Sequence, residues 1–339
     1  MKIGYYSHEI DFAGTWRSHE RIIEVLQHKY ECFVFYCPTI EHNRLEISKK
    51  ILYKTKFIEF QRSQEKYGTG FIPVYTNFYD VAKELNLDIL HVARSGYYEW
   101  PLTNRIAKLQ IETNIFGFND SSNFLDKSIS ISSVLKNKSD IIIPNPISDK
   151  SEKYENIKDL REELGIPKDA VVLGRIGRAS NFTDISLQGY KNFNDLYYII
   201  ISPCQNVYNF VKDNNLKNVI LLPATNDDLY IERFHKTIDI FAHYRNDGEI
   251  HSTAIAQAMM YGIPIITHYA GQNGQKETIG DCGYCVNNHV EYANAIKELL
   301  NIEKRKEIGV EVRKKALNYE QKYICSIIDE KYKEWLGNV

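Results

Sequence analysis

The chain has 339 residues, of which 43% are hydrophobic and 25% are charged, and its formal net charge at pH 7 is −2. That length is enough for two domains of ordinary size, and the composition is typical of a soluble globular protein. The nearly balanced charge gives no general argument for nucleic-acid binding, and no apolar run approaches the ~20 residues of a membrane-spanning helix. Because a strand-like segment follows Met1 directly, we predict no signal peptide and a cytoplasmic location.

The six cysteines are scattered along the sequence, as is typical of reduced thiols. Cys282 and Cys285 form the one CxxC pair. A zinc site would need a second such pair or neighbouring histidines, and the sequence has neither. We therefore interpret the pair as part of the turn that enters a predicted strand at residues 284–286, and we predict no metal site.

The first half of the sequence alternates between predicted strands and helices. A strand at residues 2–6 is followed by a polar loop and by a helical pattern at residues 22–26, which is the beginning of a βαβ unit. Gly14 would let that loop pass close to a bound group. The loop also carries four polar residues that could face a ligand-binding cleft, although a solvated loop explains each of them equally well. They are His8, Glu9, Asp11 and Arg17. Further strands are predicted at residues 32–36, 57–60, 88–92, 109–117 and 140–147, and helices at residues 79–85 and 129–135.

Two features of this half could face a ligand. His91 lies at the carboxyl end of the strand at residues 88–92, where α/β proteins bind their ligands, although a hydrogen-bonded core histidine is an equally good interpretation. A basic segment could touch anionic lipid or an acidic acceptor, but we prefer to interpret it as a solvated helix face. Its lysines are Lys49, Lys50, Lys54 and Lys56.

Residues 151–159 are polar and charged and form a predicted linker to a second domain. A helix at residues 160–164 and a strand at residues 171–176 then lead to Gly177 and Arg178. A guanidinium at the end of a strand can donate several hydrogen bonds to phosphate oxygens, and the alternative is a surface arginine on a turn. Further strands are predicted at residues 196–201, 218–223 and 238–243, and helices at residues 229–235, from residue 292 on and at residues 319–336.

Residues 247–286 carry the most informative pattern. An acidic loop containing Glu249 precedes Ser252, a candidate helix N-cap, and the helix that follows is ended by a Gly and a Pro. A β-branched strand at residues 263–267 comes next, and then a glycine-rich loop that contains Gly271, Gly274 and Glu277. This order places backbone N–H groups and a helix N-terminus beside two carboxylates, which suits a phosphate with a polyhydroxy group attached.

This segment resembles the donor-site signature of the retaining glycosyltransferases of family 4. In that signature two acids, separated by seven residues, precede Ala-Met-x-x-Gly-x-Pro, a strand, a glycine loop and a further Glu. The first acid is Glu249 and the last is Glu277, whereas Gln257 stands where the family has its second Glu. The resemblance implies an α/β protein of GT-B architecture, in which two Rossmann-like domains face each other across a cleft. It implies an acceptor-side domain at residues 1–150, a nucleotide-sugar domain at residues 151–316 and, at residues 317–339, a helix that crosses back toward the first domain.

The resemblance also implies roles for individual residues. Gly177 and Arg178 match the family's Gly-Arg pair, whose arginine meets the diphosphate, and Glu249 matches the acid that accepts hydrogen bonds from sugar hydroxyls. The implied catalytic residues are Glu249, Arg178 and His91. The implied donor-binding residues are Gly14, Gly177, Arg178, Thr225, His251, Ser252, Thr253, Gln257 and Glu277. The family does not rely on an Asp-x-Asp metal clamp, and this sequence has no such triplet, so no metal or cofactor is expected beyond the donor itself.

Three positions depart from the family's pattern. Phe116 replaces a histidine expected to touch the sugar, Thr183 replaces a lysine, and Gln257 replaces a glutamate. Asn119 and Asp120 could supply the polar contacts that Phe116 lacks.

These observations leave three hypotheses. The first is a metal-independent, retaining hexosyl- or pentosyltransferase that moves a sugar from a nucleotide-diphosphate sugar of the UDP, GDP or ADP type to a glycan, lipid-linked or other hydroxyl acceptor. Such an enzyme could contact a membrane peripherally. The second is a non-catalytic sugar-nucleotide-binding or partner subunit with a degenerate site, and the third is another GT-B enzyme such as a sugar-nucleotide epimerase.

Overall fold

The structure, a computed structural model, describes residues 1–7, 9–38, 40–67, 70–75, 77–94, 104–117, 124–135 and 139–338. The chain forms two compact units. Unit 1 contains Met1–Pro146 and Gln321–Val339, and unit 2 contains Ile147–Glu320. The boundaries predicted after residues 150 and 316 fall a few residues from these positions.

Unit 1 is built on a parallel sheet whose strands are β1 (Lys2–Ser7), β2 (Glu31–Tyr36), β3 (Lys56–Glu59), β6 (Leu87–Arg94), β7 (Ala107–Asn114), β8 (Lys127–Ser130) and β9 (Ile141–Ile142). A separate antiparallel pair, β4 (Arg62–Tyr67) and β5 (Gly70–Tyr75), lies between β3 and β6 in the chain. The helices of this region are α1 (Gly14–Leu26), α2 (Leu45–Ile51) and α3 (Phe78–Glu84). The strand order β3-β2-β1-β6-β7-β8-β9 is that of a doubly wound sheet.

The central strands of unit 1 are buried on both faces. In β1, Ile3 and Tyr5 belong to one hydrophobic cluster and Tyr6 belongs to another. Strands covered by helices on both sides have near-continuous apolar runs instead of alternating ones. The strands predicted at residues 2–6, 32–36, 57–60 and 88–92 are confirmed because runs of this kind are easy to recognise. The strand predicted at residues 109–117 ends at Asn114, and only Ile141–Ile142 of the one predicted at residues 140–147 is a strand.

The helix predicted at residues 129–135 is wrong. Residues 127–130 form β8, in which Thr113 of β7 pairs with Ile129. Ser128 and Ser130 are buried and satisfied by hydrogen bonds to the Glu112 carboxylate and the Ser132 carbonyl. Buried serines with such partners are compatible with a strand inside the sheet.

Unit 2 has a second parallel sheet with β10 (Val172–Ile176), β11 (Tyr197–Ile201), β12 (Val219–Leu222), β13 (Ile240–Ala242), β14 (Ile265–His268) and β15 (Tyr284–Val286). Its helices are α4 (Ile185–Tyr190), α5 (Gln205–Asp213), α6 (Asp228–Thr237), α7 (Thr253–Met260), α8 (Gly274–Ile279), α9 (His289–Glu298) and α10 (Ile302–Ala316). The strand order is β12-β11-β10-β13-β14-β15, so β10 and β13 are neighbours although they are far apart in the chain. The order reverses between these two strands.

The helix predicted at residues 160–164 is a turn in the structure. Leu164 N–H donates to the Leu160 carbonyl, but the chain leaves the helical path at Gly165, which has φ +66°. The Arg161 guanidinium fixes the turn because it donates to the carbonyls of Ala170 and Thr237. The bond to Thr237 joins residues 76 positions apart, and the sequence pattern does not contain it.

The last helix, α11 (Gln321–Gly337), belongs to unit 1 and packs against α1. Tyr332 lies on its buried side, and its hydroxyl bonds to Nδ1 of His91 in β6. The other ring nitrogen of His91, Nε2, bonds to the Thr113 hydroxyl over 2.7 Å. His91 is 0% exposed, and burial holds its pKa well below the usual value. A neutral histidine therefore ties α11 to the sheet.

Replacing Tyr332 by Phe leaves the buried Nδ1 of His91 without its described partner. We expect the free energy of unfolding to fall by about 1–3 kcal/mol, because a buried polar atom loses its hydrogen bond. The measurement is urea unfolding followed by tryptophan fluorescence, since all three tryptophans belong to unit 1.

The matched control is Tyr323→Phe, the same change in the same helix at a side chain that is 50% exposed. It is expected to change stability by less than about 0.5 kcal/mol. Equal effects of the two substitutions would show that the bond to His91 contributes nothing particular.

Candidate functional site

The candidate site lies in unit 2, where the strand order reverses. In open parallel sheets, ligands bind outside the carboxyl ends of the two strands that flank such a point. Gly177 and Arg178 follow β10, and the acidic loop that contains Glu249 follows β13. The sheet therefore brings together two groups of candidate residues that are about 70 residues apart in the sequence.

Two loops form the floor of the site, and their backbones touch. We call residues 245–250 the acid loop and residues 269–274 the glycine loop. A Cβ atom on Gly248 would lie 2.0 Å from the carbonyl oxygen of Ala270, and one on Gly271 would lie 1.9 Å from that of Asp247. Both glycines have positive φ. Only glycine permits this approach together with this backbone conformation.

Hydrogen bonds join the same two loops. Gly274 N–H donates to the Glu249 carbonyl, and the Glu249 N–H donates to Oε1 of Gln275, each over 2.8 Å. The Gln275 amide is buried and donates in turn to the carbonyls of His268 and Ala270. The backbone on both sides of Glu249 is thus fixed before any ligand arrives.

The Glu249 carboxylate is 18% exposed and accepts three hydrogen bonds. Oε2 accepts from Arg245 over 3.1 Å, and Oε1 accepts from His243 and Ser252, each over 3.4 Å. Burial alone would raise the pKa of Glu249, but the hydrogen bond from His243 and the charge of Arg245 hold it below its usual value. Glu249 is therefore ionised at neutral pH.

His243 acts on Glu249 as a neutral donor. Burial lowers its pKa, so the ring carries one proton at neutral pH. Since an ionised carboxylate only accepts, Nε2 carries that proton and Nδ1 accepts from the Thr267 hydroxyl over 2.8 Å. The arrangement fixes the tautomer without adding a second cation beside Arg245.

Ser252 is the N-cap of α7, as predicted, because its hydroxyl accepts from the Ile255 N–H. Its own N–H donates to the Thr278 hydroxyl over 3.3 Å, so that N–H is not available to a ligand, contrary to the expectation from sequence. Thr253 and Gln257 are both half-buried and lie four residues apart in α7, on one side of the helix. His251 packs edge-on against Tyr319.

A second connection joins the turn after β10 to the acid loop. Asn181 Nδ2 donates to Oδ1 of Asp247 over 2.9 Å, and Asn246 N–H donates to the Asn181 carbonyl over 3.4 Å. The Arg178 side chain is exposed and forms no hydrogen bond or ion pair within the described part of the chain. It is therefore available to an anion.

The remaining candidate residues lie on other elements. Glu277 belongs to α8 and not to the loop in which it was predicted. Thr225 follows the edge strand β12, and its hydroxyl accepts from the Asp227 N–H over 3.1 Å. Gly14 is the exposed first residue of α1 in unit 1. His91 is the core residue that binds Tyr332 and Thr113, so both ring nitrogens are already used.

This geometry favours the core interpretation of His91, and we remove it from the catalytic candidates. Its position at the end of a strand favoured a role in ligand binding. Its burial and its two hydrogen-bond partners are stronger evidence for a structural role. Phe116 is 45% exposed. The predicted residues His8, Asn119 and Asp120 lie outside the described residues.

Sequence reasoning missed the residues that support Glu249. Arg245 donates two hydrogen bonds to Asp247 and a third to Glu249, so the Arg-x-Asp-x-Glu segment forms one group of paired charges. The alternating charges of this segment were the available signal. Gln275 gave none, because its contact with Glu249 joins loops that are 26 residues apart in the sequence. His243 gave none either, although it is only six residues from Glu249, because a lone histidine at the end of a strand carries no distinguishing pattern.

The described residues contain no cluster of His, Cys, Asp or Glu arranged to hold a metal ion. Cys282 and Cys285 are free thiols, and β15 begins between them, as predicted from the CxxC pair. Burial raises the pKa of Cys285 to about 11. Within the described part of the chain, no helix combines the length and apolarity that crossing a membrane requires.

Comparisons with known proteins identify the fold. No protein-family model matches the chain, and no curated protein matches it by sequence. A glycosyltransferase from Rickettsia africae superposes with a TM-score of 0.79 at 16% identity, over 100% of both chains. Anabaena HepE in complex with UDP gives 0.77 at 14% identity, over 98% of this chain and 100% of HepE. Sucrose-phosphate synthase from Thermosynechococcus elongatus gives 0.71 at 14% identity, over 100% of both chains. The chain therefore has two Rossmann-like domains and the GT-B fold of these glycosyltransferases.

Replacing Gly271 by Ala tests the contact between the acid loop and the glycine loop. A Cβ there meets the Asp247 carbonyl, so the backbone must move. We expect a loss of about 1–3 kcal/mol of unfolding free energy from overpacking, in addition to about 1–2 kcal/mol for positive φ. The measurement is urea unfolding followed by far-UV circular dichroism.

Gly165→Ala is the control, because Gly165 also has positive φ and a Cβ there meets nothing within 4 Å. It should show only the conformational part of the loss. If both substitutions cost the same, the close approach of the two loops does not contribute to stability.

Proposed function

We propose that this protein is a retaining glycosyltransferase that moves a sugar from a nucleotide-diphosphate sugar to a hydroxyl acceptor. One observation carries the proposal: an ionised, pre-positioned Glu249 lies across the reversal point of the unit 2 sheet from Arg178, whose side chain has no partner among the described residues. A group with an anionic part and a hydroxyl-rich part needs a cation for the first part and a hydrogen-bond acceptor for the second. The shared GT-B fold is supporting evidence only.

In this proposal Arg178 stabilises the negative charge that develops on the leaving diphosphate. Glu249 accepts a hydrogen bond from one hydroxyl of the sugar. A carboxylate offers about four acceptor positions, and His243, Ser252 and Arg245 already occupy three of them. The free position is on Oε2, which limits Glu249 to one sugar contact.

The chemistry needs no enzyme nucleophile in this proposal. The acceptor hydroxyl attacks from the face that the diphosphate leaves, and a phosphate oxygen takes its proton. The residues act by positioning and by stabilising charge. We further propose that the reaction uses no metal ion or cofactor, that the acceptor is a glycan or a lipid-linked hydroxyl, and that the protein works in the cytoplasm, with peripheral membrane contact for a lipid-linked acceptor.

The proposed donor is a sugar conjugate of UDP, GDP or ADP. HepE was crystallised with UDP and with UDP-glucose, which makes the UDP series the first to test. In our proposal Thr225 faces the base and Gln257 holds the ribose, since an amide can accept from one hydroxyl and donate to another.

A second candidate function is a sugar-nucleotide-binding subunit without catalysis. The exposed Phe116 favours it, because a phenyl ring cannot donate or accept the hydrogen bonds of the histidine that the resembling family has there. Thr183 and Gln257 add two further departures. Binding without turnover would identify this function.

The first test is a thermal-shift and calorimetric panel with UDP, GDP, ADP, CMP and their sugar conjugates, on wild type, Arg178→Ala and Glu249→Ala. Loss of a charge-assisted hydrogen bond weakens binding by about 10- to 150-fold. Arg178→Ala is expected to weaken free diphosphates and sugar conjugates alike. Glu249→Ala should weaken only the sugar conjugates and abolish transfer or donor hydrolysis.

Far-UV circular dichroism must show that both variants are folded. Full activity of Glu249→Ala would refute the role of Glu249. A wild-type protein that binds none of these nucleotides would refute the proposed function as a whole.

Gln257→Glu tests the third departure. We expect nucleotide affinity to stay unchanged or to increase by up to about 10-fold, because a carboxylate accepts more strongly from ribose hydroxyls than an amide does. The control is Gln205→Glu, which adds the same charge at an exposed position of α5. A large loss at position 257 alone would mean that the protein uses the amide N–H.

A further inference from the structure

Arg175 is a buried cation in β10, next to the turn that carries Arg178. It is 3% exposed. Its Nη1 donates to the Gly177 carbonyl and its Nη2 to the Arg178 carbonyl, each over 3.0 Å. The guanidinium lies 4.3 Å from the centroid of the Tyr244 ring, against which Phe182 packs edge-on. The side chain is therefore held on several sides.

In the part of the chain that the structure describes, no carboxylate matches the charge of Arg175. Within the described ranges it forms no ion pair, and its buried Nε has no acceptor. Arg44 shows the usual solution, since it is equally buried and pairs with Glu20 over 2.8 Å. A buried charge without a counter-ion is expensive for the folded state, so its retention calls for a reason outside the fold's own stability.

The two hydrogen bonds of Arg175 also fix the direction of two peptide groups. In a trans peptide the C=O of one residue and the N–H of the next point in opposite directions. Because the carbonyls of Gly177 and Arg178 point toward Arg175, the N–H groups of Arg178 and Ala179 point away from it. Neither N–H has an acceptor among the described residues. Successive N–H groups that point to one side form a concavity for anions.

We propose that Arg175 is a positioning residue that builds an anion site from the turn at residues 177–179. The site consists of the N–H groups of Arg178 and Ala179 and the exposed Arg178 side chain, and its ligand is the diphosphate of a nucleotide. Arg175 does not touch the ligand. It holds the turn in the binding conformation and adds positive charge on the side of the turn opposite the two N–H groups. The inference rests on the proposed function for the identity of the ligand.

The test uses Arg175→Met, which removes the charge and the fork, and Arg175→Lys, which keeps the charge and removes the fork. Calorimetry measures the affinity of each for inorganic pyrophosphate, for UDP, GDP and ADP, and for the corresponding nucleosides. We expect Arg175→Met to lose about 10- to 100-fold in affinity for the diphosphates and pyrophosphate and nothing for the nucleosides. Arg175→Lys should lie between Arg175→Met and wild type, because it keeps only one of the two functions.

The matched control is Arg161→Met. Arg161 also donates to backbone carbonyls in unit 2, but it does so near residue 172, at the amino end of β10. Its replacement is expected to lower stability and to leave diphosphate affinity unchanged within about threefold, since the two sites share no partner.

The outcomes separate this inference from the proposed function. Arg175-dependent binding of pyrophosphate, with no nucleotide bound, supports the anion site and refutes the proposed function. Diphosphate binding that both Arg175 variants retain within threefold refutes the inference and leaves the proposed function standing. An equal loss for nucleosides and diphosphates, or the same loss in Arg161→Met, means that Arg175 only stabilises the fold and also refutes the inference. No binding of pyrophosphate or nucleotides by wild type refutes both.

Discussion

The candidate site depends on the contact between two backbone segments that side chains would keep apart. A Cβ atom on either Gly248 or Gly271 would lie about 2 Å from a carbonyl oxygen of the other loop, so only glycine fits at both positions. At that contact the Glu249 N–H donates to Oε1 of Gln275, and the Glu249 carbonyl accepts from the Gly274 N–H. Because the backbone of Glu249 is fixed on both sides, its carboxylate needs no ligand to take its position. The glycines therefore determine the electrostatics of the site although they carry no charge.

The charges of the site are arranged in two groups of opposite sign. On the β13 side, Arg245 lies between Asp247 and Glu249, which leaves that group with a net negative charge. On the β10 side, Arg175 and Arg178 are both cations without a carboxylate partner among the described residues. Asn181 joins the two groups because its uncharged amide donates a hydrogen bond to Asp247, so it links them without cancelling either charge. The charge separation is thus built into the fold of unit 2.

The fold could be predicted further from the sequence than the site could. Parallel strands buried on both faces have near-continuous apolar runs, and most of them were identified within one or two residues. The failures have a common cause. Ser128 in β8, the Arg161 turn and His91 each have a partner outside the local segment, namely Glu112, Thr237 and Thr113. The same holds for Gln275, which binds Glu249 from 26 residues away, whereas the helix cap Ser252 was predictable because its partner lies three residues away.

The difference between local and distant partners also explains why the resemblance was informative. A family signature records residues that act together in space, so it placed Glu249 and Arg178 at the same site, which periodicity could not do. It did not indicate Arg245, Asp247 or Arg175, because the signature does not include these positions. A ligand that joins an anionic part to a hydroxyl-rich part complements both charge groups. Its anionic part would lie over the β10 turn and its hydroxyls over the acid loop. A uniformly charged ligand would meet repulsion on one side of the reversal point, and this asymmetry is the strongest physical argument for a sugar nucleotide.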